Sequence, residues 1–141
     1  MKSRIFFVFV VLFCLGLGGC AVTPRTSAWE SPKGKEFTKD VVYTAALRAG
    51  TENGWQATSS DRDAGTMSFM QKFGEEQMVL NAAIVDQGGG NIVVRTTANW
   101  GGGLAIRGHH EEFIRNFHVQ LFRNLNVSEM SERGIQIQEI R

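Results

Sequence analysis

An uninterrupted apolar run, Ile5 to Leu15, opens the chain, and no later segment resembles it. Beyond residue 36 apolar and polar positions alternate with periods that specify secondary structure. In FTKDVVYTAALRAGTENG, residues 37–54, Phe37, Val41 and Ala45 recur every fourth position, with Val42 and Ala49 widening the stripe. That spacing predicts an amphipathic helix. Thr38 and Asp40 stand where an N-cap and a first-turn acid belong, and Gly54 where a helix ends. WQATSSD alternates Trp55, Ala57 and Ser59 against polar neighbours, and DRDAG supplies turn chemistry. TMSFMQKF then places Met67, Phe69 and Phe73 on one face and Met70 on the other. MVLNAAIVD and NIVVRTTANW flank QGGG, the clearest hairpin signal in the chain.

The second strand of that hairpin separates its faces. Ile92, Val94, Thr96, Ala98 and Trp100 point one way, and Val93, Arg95, Thr97 and Asn99 the other, so one side of the sheet is mostly wet. A second helix is predicted in HHEEFIRNFHVQLFRNL, where Phe113, Phe117 and Leu121, with Ile114 and Leu125, form one stripe. Glu111 and Glu112 at its start and Arg123 near its end agree with the helix dipole. The tail GIQIQEIR alternates briefly and suits an edge strand or a frayed end. The order α-β-β-β-β-α predicts an α+β domain: an antiparallel sheet of about four strands with two helices packed on one face, a helix-grip-like arrangement.

The N-terminus reads as a targeting segment. Lys2 and Arg4 precede the apolar run, and small residues lead from it to Cys20. As a helix, Ile5 to Leu17 would span only about 20 Å of a ~30 Å hydrocarbon core, so cleavage is expected rather than a permanent span. Leu17-Gly18-Gly19-Cys20 resembles the bacterial lipobox, in which an apolar residue and two small ones present the bond before Cys to the lipoprotein signal peptidase. The resemblance implies a diacylglyceryl Cys20, removal of residues 1–19, and attachment to a membrane. A single acyl chain holds only marginally, whereas several hold stably. Ala21 in place of Asp is similar to enterobacterial signals for the outer membrane, which places the protein there facing the periplasm. Residues 20–36 contain both prolines and little periodicity, and are expected to be an acylated tether to a single domain at 37–141.

Composition narrows the chemistry. Fifteen Lys and Arg against fourteen Asp and Glu give no basic excess for nucleic acid. Both cysteines, Cys14 and Cys20, precede the domain, so no disulfide or thiolate zinc site is expected within it. His109, His110 and His118 lack the i,i+4 spacing of a helical zinc pair, and WGGGLAIRGHHEE departs from the nucleotide-binding glycine patterns. No cofactor, metal or catalytic residue is expected. Trp29, Met70, Arg95 and Arg107 are the candidates for contact with a partner, with the covering of the domain's own edge as the other reading of Trp29.

The stretch from Val41 to Phe73, a helix running into Gly54-Trp55, a strand and then DRDAGTMSF, resembles the helix-grip domains of the lipoprotein C subunit of the β-barrel assembly machine. Asp61, Arg62, Asp63 and Gly65 carry the likeness, which covers about a quarter of the chain. It implies a non-enzymatic accessory or protein-binding module of the cell envelope, with an envelope protein as partner. The alternative is a carrier for an apolar, lipid-like ligand, which would need a sizeable cavity between helices and sheet.

Overall fold

A computed structural model describes residues 25–31, 34–101, 109–127 and 138–139. The elements run β1 (Arg25–Glu30), α1 (Lys39–Glu52), β2 (Gln56–Asp61), β3 (Thr66–Phe73), β4 (Glu76–Asp86), β5 (Ile92–Gly101), α2 (His109–Asn124) and β6 (Gln138–Glu139). All strand pairs are antiparallel, in the order β2-β3-β4-β5-β1-β6. The molecule is therefore an α+β domain with both helices on one face of an open sheet, and the sheet has six strands where the periodicity predicts about four.

The extra width comes from β1. Residues 25–30 are not tether: they pair with β5, Arg25 opposite Ala98 and Glu30 opposite Val93. Without them β5 would present an unpaired row of backbone groups. Trp29 also fills a place beneath α2. It is 5% exposed, its ring lying 5.2 Å from Phe122 and 6.3 Å from Phe37, so it covers the domain's own core and is unavailable to a partner. The described sheet thus includes Arg25–Glu30, within the stretch expected to be a tether, and four residues of sequence, 21–24, lie between Arg25 and Cys20. At the other side of β1, β6 pairs Gln138 with Thr26, which makes the tail an edge strand over those two residues.

The inner faces of the central strands are apolar, as their alternation requires. Met67 and Phe69 on β3, Met78, Leu80, Ala82 and Ile84 on β4, and Ile92, Val94 and Ala98 on β5 are buried under the helices. Each large side chain so buried contributes roughly 1.5–3 kcal/mol. Helix α2 lays Phe113, Ile114, Phe117 and Leu121 on this surface, as predicted, with Leu125 just past its end. Trp55, at the mouth of β2, stacks on Phe113 at 3.8 Å between centroids. Residues 56–61 of β2 are exposed throughout, so the predicted inward alternation of Ala57 and Ser59 does not hold: β2 is an edge strand beyond the helices' cover.

Helix α1 starts as expected, with the Thr38 hydroxyl accepting from the Val41 amide at 3.3 Å. Its buried face is rotated from the predicted stripe. Val41 is 52% exposed, whereas Val42, Tyr43, Ala45, Ala46, Ala49 and Gly50 are buried. Close approach is the cause: a Cβ on Gly50 would lie 2.2 Å from the Phe69 ring, so this turn of the helix can face the sheet only as glycine. The two helices are joined at the surface by Glu52, which accepts from Gln120 at 2.7 Å, Asn124 at 3.0 Å and Arg48 at 3.0 Å. Those bonds, Gln120's first, hold its carboxyl below the usual carboxylate range.

The DRDAG turn packs against the start of α1. Asp61 caps it, its side chain accepting from the Ala64 amide at 2.9 Å and its carbonyl from Gly65 at 2.9 Å. Arg62 lies over the Tyr43 ring and 3.6 Å from Asp40. Gly65 has φ +75° and its carbonyl accepts from the Ile84 amide at 2.8 Å, while a Cβ there would lie 2.6 Å from the Ile84 carbonyl oxygen, leaving no room for a side chain. The residues that carry the helix-grip likeness thus have a structural task here.

Candidate functional site

At one end of the molecule the C-terminus of α1, the N-terminus of α2 and the ends of β3 and β4 enclose a groove of about 260 Å³. Its floor is Trp55, Phe73, Met78 and Phe113; Asn53, Gln71, Glu112 and Asn116 stand around it. Trp55, Met78 and Phe113 are buried, but Phe73 is 41% exposed and stacks on Trp100 at 5.6 Å between ring centroids. Trp100 in turn meets His110 edge-on at 6.1 Å. Register explains the arrangement. Trp100 lies opposite Met78, which lies opposite Gln71, so these residues form one row across three strands just where the helices stop covering the sheet.

The groove is apolar at its base with amides and one carboxylate at its mouth. It can receive a large side chain or part of an amphiphile, but it has no arrangement of nucleophile and base. Among the described residues no group of three or more His, Cys, Asp or Glu could hold a metal ion, and no helix is long and apolar enough to cross a membrane. His118 is fully buried, with Nε2 2.9 Å from the Thr96 hydroxyl. Its Nδ1 has no hydrogen-bond partner among the described residues. Burial pushes its pKa down to about 4, so the imidazole is neutral in the folded protein at physiological pH.

The predicted contact residues are scattered. Arg95 is exposed on the outer face of β5, as its alternation requires. Met70 is on the same face but only partly exposed, set between Gln56 and Val79, and does not mark a patch by itself. Val93, expected on the wet side, is 4% exposed between Val85 and Glu30. Leu17, Gly18, Gly19, Cys20 and Arg107 lie outside the described residues. The groove itself was not legible in the sequence, because its eight lining residues come from separate segments and most of them read as core or as helix surface. The one available signal was Phe73, a large apolar residue at a strand's very end.

No protein-family model matches the chain, and no curated protein sequence matches it. Among solved structures, the chain is similar to the adenylate sensor of AMP-activated protein kinase, seen in complex with 5-aminoimidazole-4-carboxamide ribofuranotide and, separately, with ATP. Identity is 12% in both; the alignments cover 62% of this chain and 92% and 91% of those chains, with TM-scores of 0.53 and 0.52. At that identity the likeness is one of fold, an α+β domain of the same class.

Proposed function

We propose that this protein is a lipid-anchored component of the bacterial cell envelope, held by Cys20 to the outer membrane and facing the periplasm, where it acts as a non-enzymatic accessory or protein-binding module. The observation that carries the reading is Leu17-Gly18-Gly19-Cys20 placed directly behind a positively charged start and an eleven-residue apolar run. A lone cysteine there, with none in the folded domain, has a purpose as an acylation site and no evident partner otherwise. The filled core favours a binding module over a carrier: Phe69, Leu80, Phe117 and Leu121 occupy the space between helices and sheet where a carried lipid would sit.

The test is Cys20→Ser expressed in cells fed labelled palmitate. The variant is expected to lose the label and leave the membrane fraction. A variant that fractionates with membranes as the wild type does, or a wild-type protein whose mature N-terminus is unmodified by mass spectrometry, overturns the anchor.

A further inference from the structure

Sheet register and the short connection to Cys20 together fix which end of the domain meets the bilayer. Cys20 is five residue steps from Arg25. Fully extended, that is about 17 Å, whereas a strand as long as the eleven-residue β4 spans about 35 Å. Arg25 lies opposite Ala98 and so level with Leu80, roughly 14 Å from the Glu76 end of β4 and roughly 20 Å from its Asp86 end, so a tether of this length reaches past the first end and falls short of the second. Arg25 pairs with Ala98, two residues before Trp100 on β5. Trp100 shares its row with Met78 and Gln71, and beyond that row Phe73 closes β3. The end nearest the anchor is thus the end with the aromatic groove. The opposite end, with the turn at Asp63 and the Gln87–Asn91 reversal, is roughly 25–30 Å farther along the strands.

We infer that the groove end, led by Phe73 and Trp100, is turned to the membrane and rests in the lipid interface, an inference that depends on the acylation of Cys20 proposed above. Aromatic rings favour the headgroup boundary, where an apolar body and polar surroundings are both satisfied. Phe73 is the exposed large aromatic at this end, and amides and a carboxylate ring the groove, as suits an interface rather than a hydrocarbon interior. Charge does not drive the contact. Glu75, Glu76, Glu111 and Glu112 outnumber Lys72 and Arg115 in the flanking segments, so zwitterionic lipid is the occupant and anionic lipid gives no advantage.

The experiment uses the full acylated protein in vesicles of phosphatidylethanolamine and phosphatidylcholine carrying a nitroxide on a fraction of the headgroups. A fluorophore is placed on Lys72→Cys, at the groove end, or on Asp63→Cys, in the far turn. Both positions are exposed, and acylated Cys20 does not compete for the label. Quenching is expected to be at least about threefold stronger at position 72, given roughly 25 Å between the two heights. It should persist in about 1 M salt, where the Debye length is about 3 Å. Adding Phe73→Ser should lower quenching at 72 while acylation is retained. Equal quenching at the two sites, or stronger quenching at 63, overturns the inference even with Cys20 acylated. An unacylated Cys20 by mass spectrometry removes the anchor itself, so the two failures are distinguishable.

Discussion

Helix α1 meets the sheet through Ala45, Ala46, Ala49 and Gly50, while α2 meets the same face through Phe113, Phe117 and Phe122. The difference is one of side-chain size. Small residues let the α1 backbone come down until the Phe69 ring touches Gly50, whereas α2 packs through large aromatics, whose rings interleave with Trp55 and Trp29. One contact is fixed by shape at short range and the other by the volume of large side chains, so the two helices should fail differently when their contact residues change.

The largest effect is expected on the α2 side. Phe117 is fully buried among Trp55, Phe69 and His118, and Phe117→Ala should cost about 3–5 kcal/mol of unfolding free energy through the cavity it leaves. Chemical denaturation would show this as a lowered midpoint; a loss under 1 kcal/mol would mean that α2 settles onto the sheet as α1 does.

Next comes the pH dependence carried by the same helix. His118 has a pKa of about 4 when folded against 6.5 when unfolded, so above pH 6.5 both states are neutral and its contribution to stability is fully present. As pH falls from 6.5 towards 4 the unfolded chain takes the proton first, and about 3 kcal/mol is lost across that window. In His118→Gln the slope of stability against pH between 6.5 and 4 should be shallower by one proton. An unchanged slope would show that the imidazole is not held neutral.

The α1 side gives the smallest effect but the most specific one. Gly50→Ala raises helix propensity by roughly 1 kcal/mol yet drives a methyl into Phe69, and overpacking costs about 1–3 kcal/mol, so a net loss is expected. Val41→Ala, on the exposed face, should change the midpoint little. If Gly50→Ala stabilised the protein, the close approach that separates the two helices would be refuted.

Legibility followed the same division. The α2 stripe could be read because Phe, Ile and Leu at helical spacing state a direction strongly. The α1 face was misread by about one position, since Ala and Gly carry almost no hydrophobic signal and Val41, one of two adjacent valines in the first turn, proved exposed. The hairpin QGGG was legible from local chemistry, and Gly88, Gly89 and Gly90 all have positive φ. In β1, RTSAWE has one large apolar residue and no alternation, so nothing local names it a strand. The groove was less legible still, because it exists only where four elements end together.

The order of the two helices and of β2 to β5, the α+β class, the inner face of β3 to β5 and the motif around Cys20 were legible in the sequence alone, because period, turn chemistry and local spacing are properties of neighbouring residues. The tertiary structure decided the rest: that Arg25–Glu30 joins the sheet, that Trp29 is core, that α1 turns its smallest residues inward, and that Phe73 and Trp100 share one end of the sheet. Those outcomes depend on contacts between separate segments, such as Gly50 with Phe69, Phe73 with Trp100 and Arg25 with Ala98, and no local pattern encodes a partner outside its own segment.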